Sequence, residues 1–114
     1  MHEFDGGQQP AFDVAAAALT PIADVARVFT LAARRLEVTN TLHRLAAAAL
    51  HFPARATVFE QAAEAFRIAL YHQTLAGTNR IDPAQLGRYD SRLLKTAFAS
   101  IERLLEFTAE TFHA

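Results

Sequence analysis

Two neighbouring stretches hold the side chains best suited to chemistry. RIALYHQ carries Arg67, His72 and Gln73, and GTNRIDPAQLGRYD follows with Asn79, Arg80 and Asp82. An arginine beside a histidine could bind and protonate a phosphate ester. On an ideal helix, however, Arg67 and His72 project about 140° apart, so they do not converge within one chain. Gln73 falls in an apolar stripe, where an amide needs a hydrogen-bond partner. It is either a satisfied core amide or a polar group lining a cleft, with His72 beside it. In the second stretch, Asp82 before Pro83 starts a short turn, Leu86 pins it to the apolar body and Gly87 releases it. Asp90 then caps the last helix. That structural role leaves room for a second one, because Asn79 and Arg80 would project from the same end as His72 and Gln73.

Other chemistry finds little support. The chain has no P-loop, dinucleotide glycine fingerprint, HExxH or GxSxG. Glu60 and Glu64 stand one turn apart on a charged helix face, a pattern that usually serves solubility. The histidines form no i, i+4 pair on an inner face, and there is no cysteine, so no metal site and no cofactor are expected in this chain.

Four amphipathic helices would position these groups. The first starts at LTPIADVAR, with Thr20 as N-cap and Pro21 in the position that needs no amide partner. Ile22, Val25, Phe29, Ala32, Ala33 and Leu36 make its inner stripe, while Arg27 and Arg34 share the opposite face as solvated charges or a docking surface for acidic or phosphate groups. The second restarts after Val38, with Thr39, Asn40 and Thr41 as candidate caps and Leu42, Leu45, Ala49 and Leu50 inside; Pro53 ends it. The third spans about Arg55 to Ala76, with Gly77 as its C′ residue and Phe59, Ala62, Ala63, Phe66, Leu70 and Gln73 as its core stripe. Ala65, Ile68, Ala69 and His72 widen the uncharged arc past a half-circle, so this helix is central or touches a second partner. The fourth runs from Asp90 or Ser91 almost to the end, with Leu93, Leu94, Ala97, Phe98, Ile101, Leu104, Leu105, Thr108 and Phe112 inside. No strand pattern competes. The expected fold is all-α, an up-and-down four-helix bundle over residues 11–114, with residues 1–10 as a flexible lead-in.

Composition agrees. The 114 residues are 52% hydrophobic and 20% charged, with net charge −1. This is globular and offers no general basic field for nucleic acid or a membrane surface. Alanine alone supplies 25 residues against four glycines and four prolines, a helical bias. The runs VAAAAL and LAAAAL are too short to cross a bilayer, and MHEFDGGQQP is not a signal peptide. The expected setting is a reducing cytoplasm.

Five motifs in order, LTPIADVAR, TLHRL, YHQ, NRIDPAQL and LLKTAF, resemble those of the nucleotidyltransferase substrate-binding domain. That helical domain is the C-terminal part of bacterial proteins that combine CBS or cyclic-nucleotide-binding-like domains with a nucleotidyltransferase domain similar to PII-protein uridylyltransferase. The resemblance spans Asp13 to Phe112. It implies a non-catalytic accessory domain of a signalling system that closes one side of the substrate cleft, with a catalytic partner in cis or trans that uses Mg. By motif, the substrate-binding positions fall on Arg27, Arg44, His72, Gln73 and Asn79, with Thr41, Asp82 and Pro83 in the same motifs; Arg80, next to Asn79, joins the set as projecting from the same end. Two positions that are usually arginine in the family hold Ala69 and Tyr71 here, which removes cations from that face. The weaker RIALYH pattern resembles small HEPN ribonucleases, and implies a free-standing ribonuclease or toxin–antitoxin component instead. A helical dimerisation module is a third reading. The wide apolar arc around Ile68 suggests self-association as a dimer.

Overall fold

The first helical segment begins earlier than Thr20 and Pro21 signal. The computed structural model describes residues 11–35 and 37–112, and in it Asp13 Oδ1 accepts the Ala16 N–H at 3.0 Å. Asp13 is therefore the residue that caps the first turn. A π-helical turn, Ala15–Leu19, leads without a break into α1, Thr20–Ala32. Thr20 has helical dihedrals, and its N–H reaches back to the Ala15 carbonyl. Pro21 explains the wide turn: inside a helix its ring crowds the preceding turn and it donates no hydrogen bond. Widening that turn by one residue relieves the clash. The lead-in expected at residues 1–10 and the Leu36 position lie outside the described residues.

α1 ends at Ala33, with Arg34 in the left-handed region at φ 58°. The Arg35 N–H donates to the Thr30 carbonyl at 2.9 Å, a closure that usually employs glycine. α2, Thr41–His51, opens on Asn40, whose side chain accepts from the His43 N–H at 3.2 Å. Phe52 is non-helical ahead of Pro53, as the proline ring requires. A single 3-10 turn, Pro53–Arg55, then delivers the chain into α3, Ala56–Ala76. Gly77 closes α3 at φ 70°. After a turn at Pro83–Gln85, in which Asp82 accepts from the Ala84 N–H at 3.0 Å, α4 runs over Arg88–Phe112.

Two short strands tie the ends together. β1, Phe12–Asp13, pairs antiparallel with β2, Arg80–Ile81, placing Phe12 opposite Ile81 and Asp13 opposite Arg80. The Val14 N–H extends the ladder to the Asn79 carbonyl at 2.7 Å. Segments this short have no period to read, so the strand pair was not expected from the sequence.

The core fixes the directions of the helices. Val14, Ile22, Phe29, Leu45, Phe59, Leu94, Ile101 and Leu104 are fully buried. Phe29 lies edge-on to Phe59 at 4.9 Å and to Phe52 at 5.4 Å, and stacks on Phe107 at 5.5 Å. One end of the molecule therefore joins the last turns of α1, the end of α2, the start of α3 and the last third of α4. The other end joins the start of the first helix to the end of α3 through the strand pair, with Phe12 against Phe98 at 5.4 Å. So α1 and α4 run one way and α3 runs the other between them. A strict up-and-down order would make α1 and α3 parallel. The difference follows from length: α2, with 11 residues, rises about 16 Å, roughly half of α3. It cannot carry the chain back along the body, and packs instead on α1 and α3 near the aromatic end.

Several side chains depart from the expected faces. Ala65, Ala69 and His72 are buried while Leu70 is exposed, so the core face of α3 is rotated away from Leu70 and Gln73. The wide arc is used within the chain, because α3 packs on α2, α4, β2 and the π turn; Ile68 is half-buried. Leu50, expected inside, is 79% exposed. The first alanine run continues into α1, and the resulting helical stretch, Ala15–Ala32, could by length and composition (mean hydropathy 1.4) cross a bilayer. Its inner residues Ile22, Val25, Ala26 and Phe29 are buried in this core.

Candidate functional site

The polar groups singled out in the sequence gather only in part. Gly77, in its left-handed conformation, turns the chain back over the end of α3. This lets Gln73 Nε2 donate to Asn79 Oδ1 at 2.6 Å. Asn79 is a bridge: its side chain holds α3, and its carbonyl takes the Val14 N–H of the first helix. Arg80 follows on β2, exposed and opposite Asp13. Gln73, Asn79 and Arg80 thus all lie at the strand-pair end.

His72 belongs to the same turn but points inward. It is only 2% exposed, and its Nε2 is buried without a hydrogen-bond partner among the described residues. Tyr71 lies edge-on to the ring at 5.2 Å. The amide and the imidazole therefore exchange the places suggested by the sequence: the histidine is in the core, and the glutamine is half-buried at its margin.

Arg27 and Arg44 do not join this face. Arg27 pairs with Asp24 on the exposed side of α1 at 3.2 Å, about 20 Å of helix beyond Val14. Arg44 Nε donates to the Val38 carbonyl at 3.0 Å and braces the segment that enters α2. Arg67 pairs with Glu64 at 3.4 Å in the open, while His72 is buried, so the two do not converge within one chain.

The connection between α1 and α2 makes a second, separate concavity of about 390 Å³, lined by Arg35, Glu37, Val38, Thr39, His43 and Leu50 among others. The Arg35 guanidinium hydrogen-bonds Glu37 at 2.6 Å. That bond, with the positive charge behind it, holds the Glu37 carboxyl below its ordinary range. Exposed Leu50 forms part of this wall rather than the core. Half of the lining, Arg35, Glu37, Val38 and Thr39, belongs to the connection, and the other half, His43, Ala46, Ala47 and Leu50, is one face of α2 at helical spacing. Among the described residues, no three histidine or acidic side chains group as metal ligands would.

Residues 2–112 match the family described as "Putative nucleotidyltransferase substrate binding domain". The chain belongs to this family. No curated protein and no solved structure matches it. The match covers all four helices and both strands. The Gln73–Asn79 bridge and Arg80 therefore lie within a substrate-binding domain, at the end where the chain's first and third helical segments meet.

Proposed function

We propose that this domain forms the acceptor side of a nucleotidyltransferase cleft and performs no catalysis alone. The observation that carries the reading is the Gln73–Asn79 bridge beside exposed Arg80 in a substrate-binding domain. The bridge presents a fixed amide pair at a helix end, and Arg80 adds a cation free to meet a carboxylate or phosphate. His72 supports the face from behind as a positioning residue. Arg27 and Arg44 stand apart from it and are better suited to contact a partner domain or brace α2.

Nucleotidyl transfer needs carboxylate-held Mg beside the nucleotide phosphates. In this reading the metal and its ligands come from a catalytic partner, in cis or in trans, of the kind similar to PII-protein uridylyltransferase. The assembly would serve cytoplasmic signalling, with a protein or a small molecule as acceptor.

Labelled-nucleotide transfer tests the reading with three preparations: catalytic core alone, this chain alone, and both together with Mg²⁺. The expected result is no transfer by the chain alone and enhanced acceptor use by the mixture. Asn79→Ala and Arg80→Ala should lower acceptor use more than nucleotide affinity. Transfer by the chain alone would overturn the accessory role. RNA cleavage by the chain alone, lost in His72→Ala, would replace it with the ribonuclease reading.

A further inference from the structure

The outer face of α4 carries an unusual order of charge. Arg88, Arg92, Lys95, Ala99, Glu102, Glu106 and Glu110 follow at spacings of three and four residues. They therefore form one stripe along the helix. It lies opposite the buried Leu94, Ala97, Ile101 and Leu104. Its six charged members are all exposed, and Ala99 at the centre is half-buried. Every cation precedes Ala99 and every acid follows it. Among the described residues none of the six makes an ion pair, since the salt bridges join Arg27 to Asp24, Arg35 to Glu37 and Arg67 to Glu64. Arg103, the remaining cation of the acidic half, is turned away to Gln61 on α3 at 3.2 Å.

For an isolated helix this order is unfavourable throughout. Cations crowd the positive end of the helix dipole and acids the negative end. Arg88 with Arg92, Glu102 with Glu106, and Glu106 with Glu110 are like charges one turn apart, which repel. Asp90 is the one acid of the first turn, and it is half-buried off the stripe.

The same order is self-complementary when reversed. Arg88 and Glu110 lie equally far from Ala99, as do Arg92 and Glu106, and Lys95 and Glu102 match to within one residue. We propose that this face binds a second copy of the chain, with the two α4 helices antiparallel and crossing at Ala99. A two-fold axis there pairs each cation with an acid of the partner copy and sets the two helix dipoles head to tail. The small side chain at the crossing lets the helices approach closely. The apolar arc of α3 takes no part, since it is packed within its own chain.

The stripe is about 33 Å long and about 10 Å wide, so the pair would bury about 700 Å². That is well under the ~1,200 Å² typical of stable complexes. The dimer is accordingly weak and electrostatic. We expect a dissociation constant of about 10–100 μM at ~50 mM salt, rising at least ~10-fold at ~500 mM as screening shortens. It holds whether or not the domain serves a nucleotidyltransferase.

Sedimentation of the 114-residue chain at both salt concentrations tests this. Arg92→Glu and Glu106→Arg, each alone, should give monomers, because each places like charges opposite each other across the axis. Both changes in one chain should restore the dimer. Mixing the two single variants should also restore it, as a heterodimer in which both contacts are attractive. The substituted residues are exposed, and circular dichroism checks that each variant stays folded. A wild-type chain that is monomeric up to several times the expected dissociation constant at low salt overturns the proposal. So does a dimer indifferent to salt and to both substitutions. If the wild type is monomeric and the two variants instead weaken binding to a nucleotidyltransferase core, the face belongs to that core and the proposal fails.

Discussion

Breaking the Gln73–Asn79 bridge tests the candidate site most directly. The bond at 2.6 Å joins two neutral amides at a half-exposed margin, where a hydrogen bond contributes about 0.5–1.5 kcal/mol net. Gln73→Ala loses that bond but gains a few tenths of a kcal/mol of helix propensity. Asn79→Ala loses the same side-chain bond and keeps the backbone bond from Val14. The double variant has one bond to lose, not two, so the two losses should fall short of additivity by about 1 kcal/mol. At about 2.1 cal/mol/K per residue, a domain of this size loses roughly 4 °C of Tm for each kcal/mol. Single variants should therefore melt about 2–5 °C below wild type, and the double variant about 4 °C above the sum of the two losses. Thermal unfolding followed by circular dichroism supplies all four corners of the cycle. Strict additivity would show that the bond does not persist in solution, and would remove the fixed amide pair from the functional reading. The same variants in the transfer assay link the two results: acceptor use should fall in step with the lost coupling.

Three further outcomes follow from the fold. Asp13→Ala removes the cap at Ala16 and should cost about 0.5–2 kcal/mol, whereas Thr20→Ala, inside the helix, should be near neutral; urea unfolding separates the two. Arg34→Gly relieves the left-handed residue at φ 58° and should raise stability by about 0.5–1 kcal/mol, read as a higher Tm. Phe29→Ala empties the point where α1 meets Phe52, Phe59 and Phe107 and should cost about 3–5 kcal/mol, lowering Tm by more than about 10 °C. An equally stable variant would mean the aromatic end is not the core.

Helices were legible in this sequence where a local device ends them. Asn40 caps α2 and Gly77 closes α3 as their types suggest, because capping depends on a few adjacent residues. The start of the first segment was not. Thr20 and Pro21 form a strong local signal, yet the backbone continued through them by widening one turn, and Asp13 took the cap. Direction along the body was also hidden. Periodicity gives each helix a face, but whether α1 and α3 run together depends on how far α2 can carry the chain. The face itself was read with an error on α3. Alanine at positions 62, 63, 65 and 69 leaves the edge of an apolar stripe undefined, so Gln73 was placed in the core only by its spacing from Phe66 and Leu70. The structure buries the imidazole and leaves the amide at the margin, where Asn79 can reach it.

The same limit explains the candidate site. His72, Gln73, Asn79 and Arg80 are close in sequence, so a single turn at Gly77 is enough to gather them at one end. Arg27 and Arg44 could join them only through the long-range arrangement of α1 and α2, and that arrangement sends both to other surfaces. The strand pair adds what no local reading contains: it sets Asp13 opposite Arg80 and anchors the Asn79 carbonyl, while Gln73 holds its side chain. An amide held by its backbone to one helix and by its side chain to another cannot rotate freely. In the proposed reading it would therefore be better prepared to recognise an acceptor than the same residue on an open loop. The candidate groups were visible in the residue types, whereas the backbone anchor of Asn79 comes from two strands too short for the sequence to reveal.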